Sequence, residues 1–427
     1  MLGSLILLWI CVCLLFLHLK NQRPKNFPPG PTPLPIFGTI FSLNLQNPLK
    51  DLERCYGNVY SLFIGSTPAV VINGFHATKE ALVTKAADFS GRPHYTLISD
   101  FTKSKGLIMA DYGPGWRARR RFSLLTLRNF GMGKQFMEDR ILGETHYIVE
   151  QLEKSAGNPL CPESIFHNAA ANIICQVVFG RRNDDEFIKL MIHPVTEMSN
   201  LITGPWAVLY DSAPMIRHLP LPFMRVFKYY ENLVKDLINE HRKTRVPGEP
   251  QDFIDCYLDE LDKKGDFDPS FSEEEMIVCI LDLHFAGTDT TSNTLLAALL
   301  YLMNHPHIQE CCQQEIDQVL DGKDQASFED RHNMPYMQAV IHETQRMANT
   351  VPLSGPHCTT KDTELLGYSI PKGTLVIPNL TSVLSEEGQW KFPHEFNPEN
   401  FLNDQGEFVK PEAFLPFSLL NEIKSSS

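Results

Sequence analysis

No Gly/Ser-rich linker, low-complexity stretch or internal repeat divides the chain after residue 50. Its 427 residues therefore read as one large domain, although their number would allow two or three. Positive charge is in deficit: 38 Lys and Arg stand against 51 Asp and Glu, a formal charge of −13 that argues against general nucleic-acid binding. The ten cysteines include no paired metal-ligand spacing. Cys311 and Cys312 are neighbours on a helix, and Cys11 and Cys13 sit in an apolar leader. That pattern implies reduced thiols facing the cytosol, not a disulfide framework. What remains is ordinary for a globular protein, with 43% hydrophobic and 21% charged residues.

Charge is scarcest in the stretch Glu273–His305, where Asp282 and Asp289 are the only formal charges after Glu275. Ser272 and Glu275 form a capping-box pattern at its start, and Pro306 stops the ladder at its end. The spacing predicts one helix about 50 Å long, buried on nearly every face. It does not read as a membrane span, because Thr288–Thr294 is a polar interruption and the apolar run Leu295–Met303 is too short. The interruption opens with Ala286-Gly287-Thr288-Asp289-Thr290-Thr291. Glycine and competing hydroxyls predict a local bulge or kink, where a buried carboxylate beside a hydroxyl could hold water and relay protons. The plainer alternative is a helix with back-bonded threonines and a hydrated aspartate, and the six residues leave both open.

At the start, Leu2–Leu19 is almost unbrokenly apolar and is followed by Lys20, Arg23 and Lys25. Those flanks favour an uncleaved anchor over a signal peptide and keep the remainder cytosolic. Pro28–Pro35 is then a stiff extended segment. Residues 57–74 alternate as a β-hairpin around a Gly-Ser-Thr-Pro turn. Helical patterning follows at Thr78–Lys85, Trp116–Phe122, Met137–Lys154, Ile165–Val178 and Pro222–Lys243, and after the long helix at Pro306–Leu320 and Met337–Met347. Gly355–Pro378 returns to strand and turn, and irregular loop follows Pro393. The fold class is mainly α with a minor β-sheet.

Two pairs share helix faces. Trp116-x-x-x-Arg120 joins an aromatic to a cation within a basic cluster of Arg117, Arg119, Arg120, Arg121 and Arg128. This reads either as a solvated face or as an inward anion site at Arg120 with an outward patch for an acidic partner. Glu343-x-x-Arg346 lies between apolar neighbours, which allows a buried pair rather than the usual exposed one.

In this order, the apolar anchor, the PPGP hinge, Trp116-x-x-x-Arg120, AGTDTT, Glu343-x-x-Arg346 and Phe396-Asn397-Pro398-Glu399-Asn400-Phe401 resemble a cytochrome P-450, a haem-thiolate monooxygenase. The resemblance spans about Leu5 to Ser418 and is greatest to the microsomal vertebrate family two, near its J-type fatty-acid and xenobiotic members. It implies that Asp289 and Thr290 are the catalytic acid–alcohol pair for proton delivery on the distal side of haem. Ala286 and Gly287 would line the groove for oxygen and substrate, and Trp116, Arg120 and His357 would hold the haem propionates. Glu343 and Arg346 would be the structural pair locked against the PENF segment. The implied partners are NADPH-cytochrome reductase, cytochrome b5, membrane lipid and a lipophilic substrate, at the endoplasmic reticulum membrane.

The expected division is a membrane anchor over 1–25, a proline-rich hinge over 26–38, the catalytic domain over 39–418 and a divergent tail over 419–427. After Phe417-Ser418 the family continues into a Gly-x-Arg-x-Cys-x-Gly loop whose cysteine ligates iron, whereas here the residues are LLNEIKSSS. Lys424 stands in the cysteine's register, and an ammonium can neither ligate nor push electron density onto iron. The expectation is a fold incomplete at its C-terminus, with one face of the long helix uncovered and doubtful haem occupancy. The rival functions are a truncated, catalytically inactive form, or a membrane-bound protein that binds lipid or reductase without catalysis.

Overall fold

In the computed structural model, the order of elements follows where the apolar positions repeat. The structure describes residues 23–34, 37–42, 48–130, 135–180, 185–212, 216–217, 221, 224–265 and 268–418. Helix α1 (Pro48–Tyr56) leads into strands β1 (Val59–Ile64) and β2 (Thr67–Ile72). Then come α2 (Phe75–Lys79), α3 (Leu97–Thr102), α4 (Pro114–Asn129), α5 (Gln135–Ser155) and α6 (Glu163–Val178). The next group is α7 (Asp185–Thr203), α8 (Pro205–Ser212), α9 (Met224–Thr244), α10 (Phe253–Lys264) and α11 (Glu273–Asn304). Helices α12 (Pro306–Leu320) and α13 (Pro335–Ala348) precede β3 (His357–Cys358), β4 (Thr363–Leu365), β5 (Tyr368–Ile370) and β6 (Leu375–Pro378), and α14 (Leu380–Leu384) follows. Among the described residues, no helix is long and apolar enough to cross a membrane. The proposed anchor lies largely in residues 1–22, outside the described residues.

Two layers result. The largest core joins α6, α7, α9, α10 and the first half of α11, through Cys175, Val195, Tyr230, Val234, Tyr257, Cys279 and Ile280. The smaller sheet has strand order β1-β2-β6-β3. Strands β1 and β2 pair antiparallel around a tight turn, while β6 pairs parallel with β2 across some three hundred residues of sequence. Strands β4 and β5 form a separate hairpin.

The long helix departs from expectation in two ways. It is α-helical without a break from Glu273 to Asn304, with no π-helical turn at the AGTDTT segment. The hydroxyls bond back along the helix: Thr290 donates to Ala286 O at 2.6 Å, Ser292 to Thr288 O at 2.9 Å and Thr294 to Thr290 O at 2.7 Å. These bonds run alongside the backbone ladder and leave it intact. Burial also stops half-way. Met276–Asp282 is buried on every face, but Leu295, Leu300 and Met303 are 38%, 57% and 66% exposed.

Candidate active site

The site is built outward from the buried half of α11. Ser272 caps it, accepting from Glu275 N at 3.2 Å. Glu275 does not complete a capping box; its carboxylate accepts from Gly106 N at 2.8 Å and pairs with Arg119 at 3.2 Å. Two turns on, Asp282 Oδ2 accepts from the amides of Leu107 (2.6 Å) and Ile108 (3.0 Å). Burial pushes its carboxyl up to about 7, against the pull of those two amides. The loop 106–108 is thus clamped onto α11 by two acidic side chains.

The same loop positions Trp116, whose Nε1 donates to Leu107 O at 2.9 Å. Arg120 stacks its guanidinium over the Trp116 ring, 5.3 Å from the centroid. Arg120 is half-buried, and the inward cation of this helix is Arg119, which is held by Glu275 and by Ser270 O. Sequence reasoning assigned the inward role to Arg120, because nothing local reveals that Glu275 and Ser270 select its neighbour. Arg117, Arg121 and Arg128 are exposed, and they form the outward basic face.

In the AGTDTT segment, Ala286 is exposed although α11 is buried just before it. Thr290, one turn on, is half-buried. Its hydroxyl proton is committed to Ala286 O, which leaves the oxygen lone pairs free to accept. Asp289 points elsewhere, toward His167 Nε2 on α6 at 3.6 Å. Bonding to Asp289 raises the His167 pKa in spite of burial, which favours the charged pair. Acid and alcohol are therefore on adjacent faces, each with its own partner. Gly287 serves packing: a Cβ there would lie 2.3 Å from Ile174 Cδ1, so a larger residue would require the Ile174 side chain to shift.

A further cation enters from outside these motifs. Arg92 donates to Pro356 O at 2.7 Å, and Cys358 N donates to Gly91 O at 2.8 Å, which straps residues 89–92 to β3. Among the described residues no carboxylate pairs with the Arg92 side chain, and desolvation lowers its pKa. His357 Nδ1 meets Phe89 O at 2.9 Å, so this nitrogen carries the proton and Nε2 is the acceptor. Burial and the neighbouring Arg92 hold His357 down to about 3, neutral at physiological pH. Arg92 and Asp282 lie close enough for each to shift the other's pKa, which ties this edge to α11. The only sequence signal for Arg92 is that it is the single arginine between Arg54 and Arg117.

Glu343 and Arg346 are fully interior, 0% and 2% exposed, and joined by two bonds of 2.7 and 2.8 Å. Arg346 also donates to the carbonyls of Leu384, Phe392, Pro393 and Glu395, while Asn397 N and Asn400 Nδ2 donate to Glu343. A buried pair survives desolvation only with such additional bonds. Here they fix α13 to residues 384–400.

The family model described as cytochrome P-450 matches residues 28–419. The chain belongs to the cytochrome P-450 family. It is 40% identical to cytochrome P-450 2J5 of Mus musculus, over 98% of this chain and 85% of that protein. It is 42% identical to cytochrome P-450 2J2 of Homo sapiens over 94% of this chain and 82% of that one. Cytochrome P-450 2F2 of Mus musculus is 41% identical over 92% and 82%. The mainly α fold with small sheets is that of the family. Its function is that of a haem-dependent monooxygenase, an oxidoreductase acting on lipophilic substrates.

The described residues fit two sides of a P-450 haem. Exposed Ala286 beside half-buried Thr290 leaves one face of α11 open to a bound group, and the Arg92 guanidinium, with no carboxylate partner among the described residues, suits a propionate. The axial position is different. Among the described residues, each cysteine whose shift is resolved is pushed up by burial: Cys256, Cys312 and Cys358 to about 11, Cys175 to about 12, and Cys279 well above its usual value. None of these five is a preset thiolate. Lys424 and its neighbours lie outside the described residues.

Proposed function

We propose that this chain hydroxylates or epoxidises fatty acids and xenobiotics, using electrons from NADPH delivered by NADPH-cytochrome reductase, with cytochrome b5 as a second donor. The exposed Arg117, Arg121 and Arg128 support an acidic docking partner. In this reading residues 1–25 anchor the chain in the endoplasmic reticulum membrane, 26–38 form the hinge, 39–418 form the catalytic domain and 419–427 are a divergent tail. Exposed Phe37, Phe41, Trp206 and Leu209 support contact with lipid. Their segments meet, because Gly38 and Ser212 both press against Gly65.

Bound in this chain, haem would supply the oxygen chemistry. Trp116, Arg120 and His357, joined by Arg92, would hold its carboxylates. Ala286 and Gly287 would line the groove. Asp289, gated by His167, would hand protons toward Thr290, whose free lone pairs can accept them. Glu343 and Arg346 would hold the late helix in register. The observation that carries this reading is Ala286, exposed where the buried half of α11 ends, with an acid and an alcohol at the next turn.

The test uses the chain joined after Ser418 to a Gly-x-Arg-x-Cys-x-Gly segment, with reductase, NADPH and a fatty acid. Asp289→Asn and Thr290→Ala should keep consuming NADPH while product per NADPH falls at least about tenfold, since positioned proton transfer contributes about 10²–10⁴. An unchanged ratio in both variants would remove them from proton delivery.

A further inference from the structure

The last turn of α9 and the first of α10 bring together a cluster that plays no part in the monooxygenase reading. His241, Asp252 and Asp255 are 6%, 3% and 5% exposed, and their ligand atoms lie within 4.8 Å of one another. Asp252 caps α10, its Oδ1 accepting from Asp255 N at 2.9 Å, while its Oδ2 lies 2.9 Å from His241 Nε2. His241 Nδ1 lies 2.7 Å from Leu237 O, a carbonyl that can only accept, so Nδ1 carries hydrogen and Nε2 is the metal-facing nitrogen. Asp255 Oδ2 accepts from Gln251 N at 3.1 Å, but Asp255 Oδ1 is buried with no hydrogen-bond partner.

A charged His241–Asp252 pair explains two of the three residues and leaves the third unexplained. Two buried carboxylates face at most one imidazolium. The neighbouring guanidinium, Arg245, is engaged with Asp259 at 2.6 Å and with Asp262. Among the described residues no cation pairs with Asp255. A divalent cation would neutralise both carboxylates and use the orphaned Oδ1, with imidazole neutral. Ligand atoms on one zinc ion stand about 3 Å apart, given bonds of roughly 2.0–2.2 Å. His241 and Asp252 already have that spacing. Gly180 completes the cradle, since a Cβ there would come within 2.8 Å of Asp252 Oδ2. One nitrogen and two oxygens suit a borderline ion of the zinc class rather than calcium or magnesium.

We propose that His241, Asp252 and Asp255 form a structural site for a zinc-class divalent cation that ties the end of α9 to the start of α10. Access is by the exposed loop 246–249. The full chain in detergent, stripped with a chelator and dialysed, is titrated with zinc chloride by calorimetry, and its metal content is read by plasma mass spectrometry, with iron counted separately. The expected result is one zinc per chain, a melting temperature that rises with zinc, and reversal by chelator. Asp255→Asn keeps the Gln251 bond and the His241–Asp252 pair, yet should weaken zinc binding about a hundredfold or more, and His241→Gln should do the same. No zinc retained by the wild-type chain, or zinc bound equally well by Asp255→Asn, would overturn the site.

Discussion

Asp282 shows how one residue can hold a site together and tax its stability. Its Oδ2 takes two amides from the loop that positions Trp116, yet it is buried, and among the described residues no cation forms a direct pair with it, Arg92 acting only from a distance. A carboxyl held at about 7 in the folded chain, against 3.8 when unfolded, binds its proton more tightly when folded. That stability is present in full below about pH 4 and is lost as pH rises through about 7. Asn can place its oxygen where Oδ2 sits and keep both bonds. Asp282→Asn should therefore fold, and the drop in unfolding free energy between pH 5 and pH 8, read from denaturant melts, should shrink by an amount on the order of 2–4 kcal/mol. An unchanged pH slope would show that the burial is relieved by water. At this scale the sequence was partly legible. The spacing of Glu343 and Arg346 marks a shared face, but their burial depends on carbonyls and amides at 384–400, which no local pattern reveals. Arg92 had no motif to announce it.

Helices α6 and α11 meet where Gly287 allows it. In isolation, Gly→Ala inside a helix favours folding by about 1 kcal/mol. Here the added methyl would lie 2.3 Å from Ile174 Cδ1 and 2.7 Å from its Cγ1. Overpacking of that kind costs about 1–3 kcal/mol, so the clash should win over propensity. Gly287→Ala should lower stability in denaturant melts, and Ile174→Ala should remove most of the penalty, giving a coupling of about 1 kcal/mol or more. A more stable Gly287→Ala would return Gly287 to the role of a weak point for a kink. Element existence was legible wherever apolar residues repeat locally: Pro306–Leu320 was bounded as observed, and the hairpin of β1 and β2 lies within the predicted stretch. Helix α7 went unread because Pro194 stands inside it, and proline ordinarily marks a break. The parallel pairing of β2 with β6 joins segments too distant for any pattern to connect.

At the scale of the whole molecule, the family's chemistry rests on a thiolate that pushes electron density onto iron. Cys279 and Cys358 lie in segments proposed to hold haem, and neither suits that role. Cys279 is fully buried on α11 itself, about two turns before Ala286, and so belongs to the distal helix. Cys358 donates to Arg92 O at 3.2 Å, at the edge where the carboxylates would be held. Burial pushes both thiols toward the neutral form, which ligates poorly. The stretch 419–427 offers Lys424 in the register of the ligand. The described residues would offer haem the open face of α11 at Ala286 and the cationic edge at Arg92. A polypeptide cut at Ser418 and expressed alone should retain little haem, give no thiolate-type Soret band when reduced under carbon monoxide, and turn over no fatty acid with reductase and NADPH. Joining a Gly-x-Arg-x-Cys-x-Gly segment after Ser418 should restore the band and the turnover together. A thiolate spectrum from the polypeptide cut at Ser418 would mean that one of the buried cysteines moves to the iron, and Cys358→Ser would then be the first variant to abolish it.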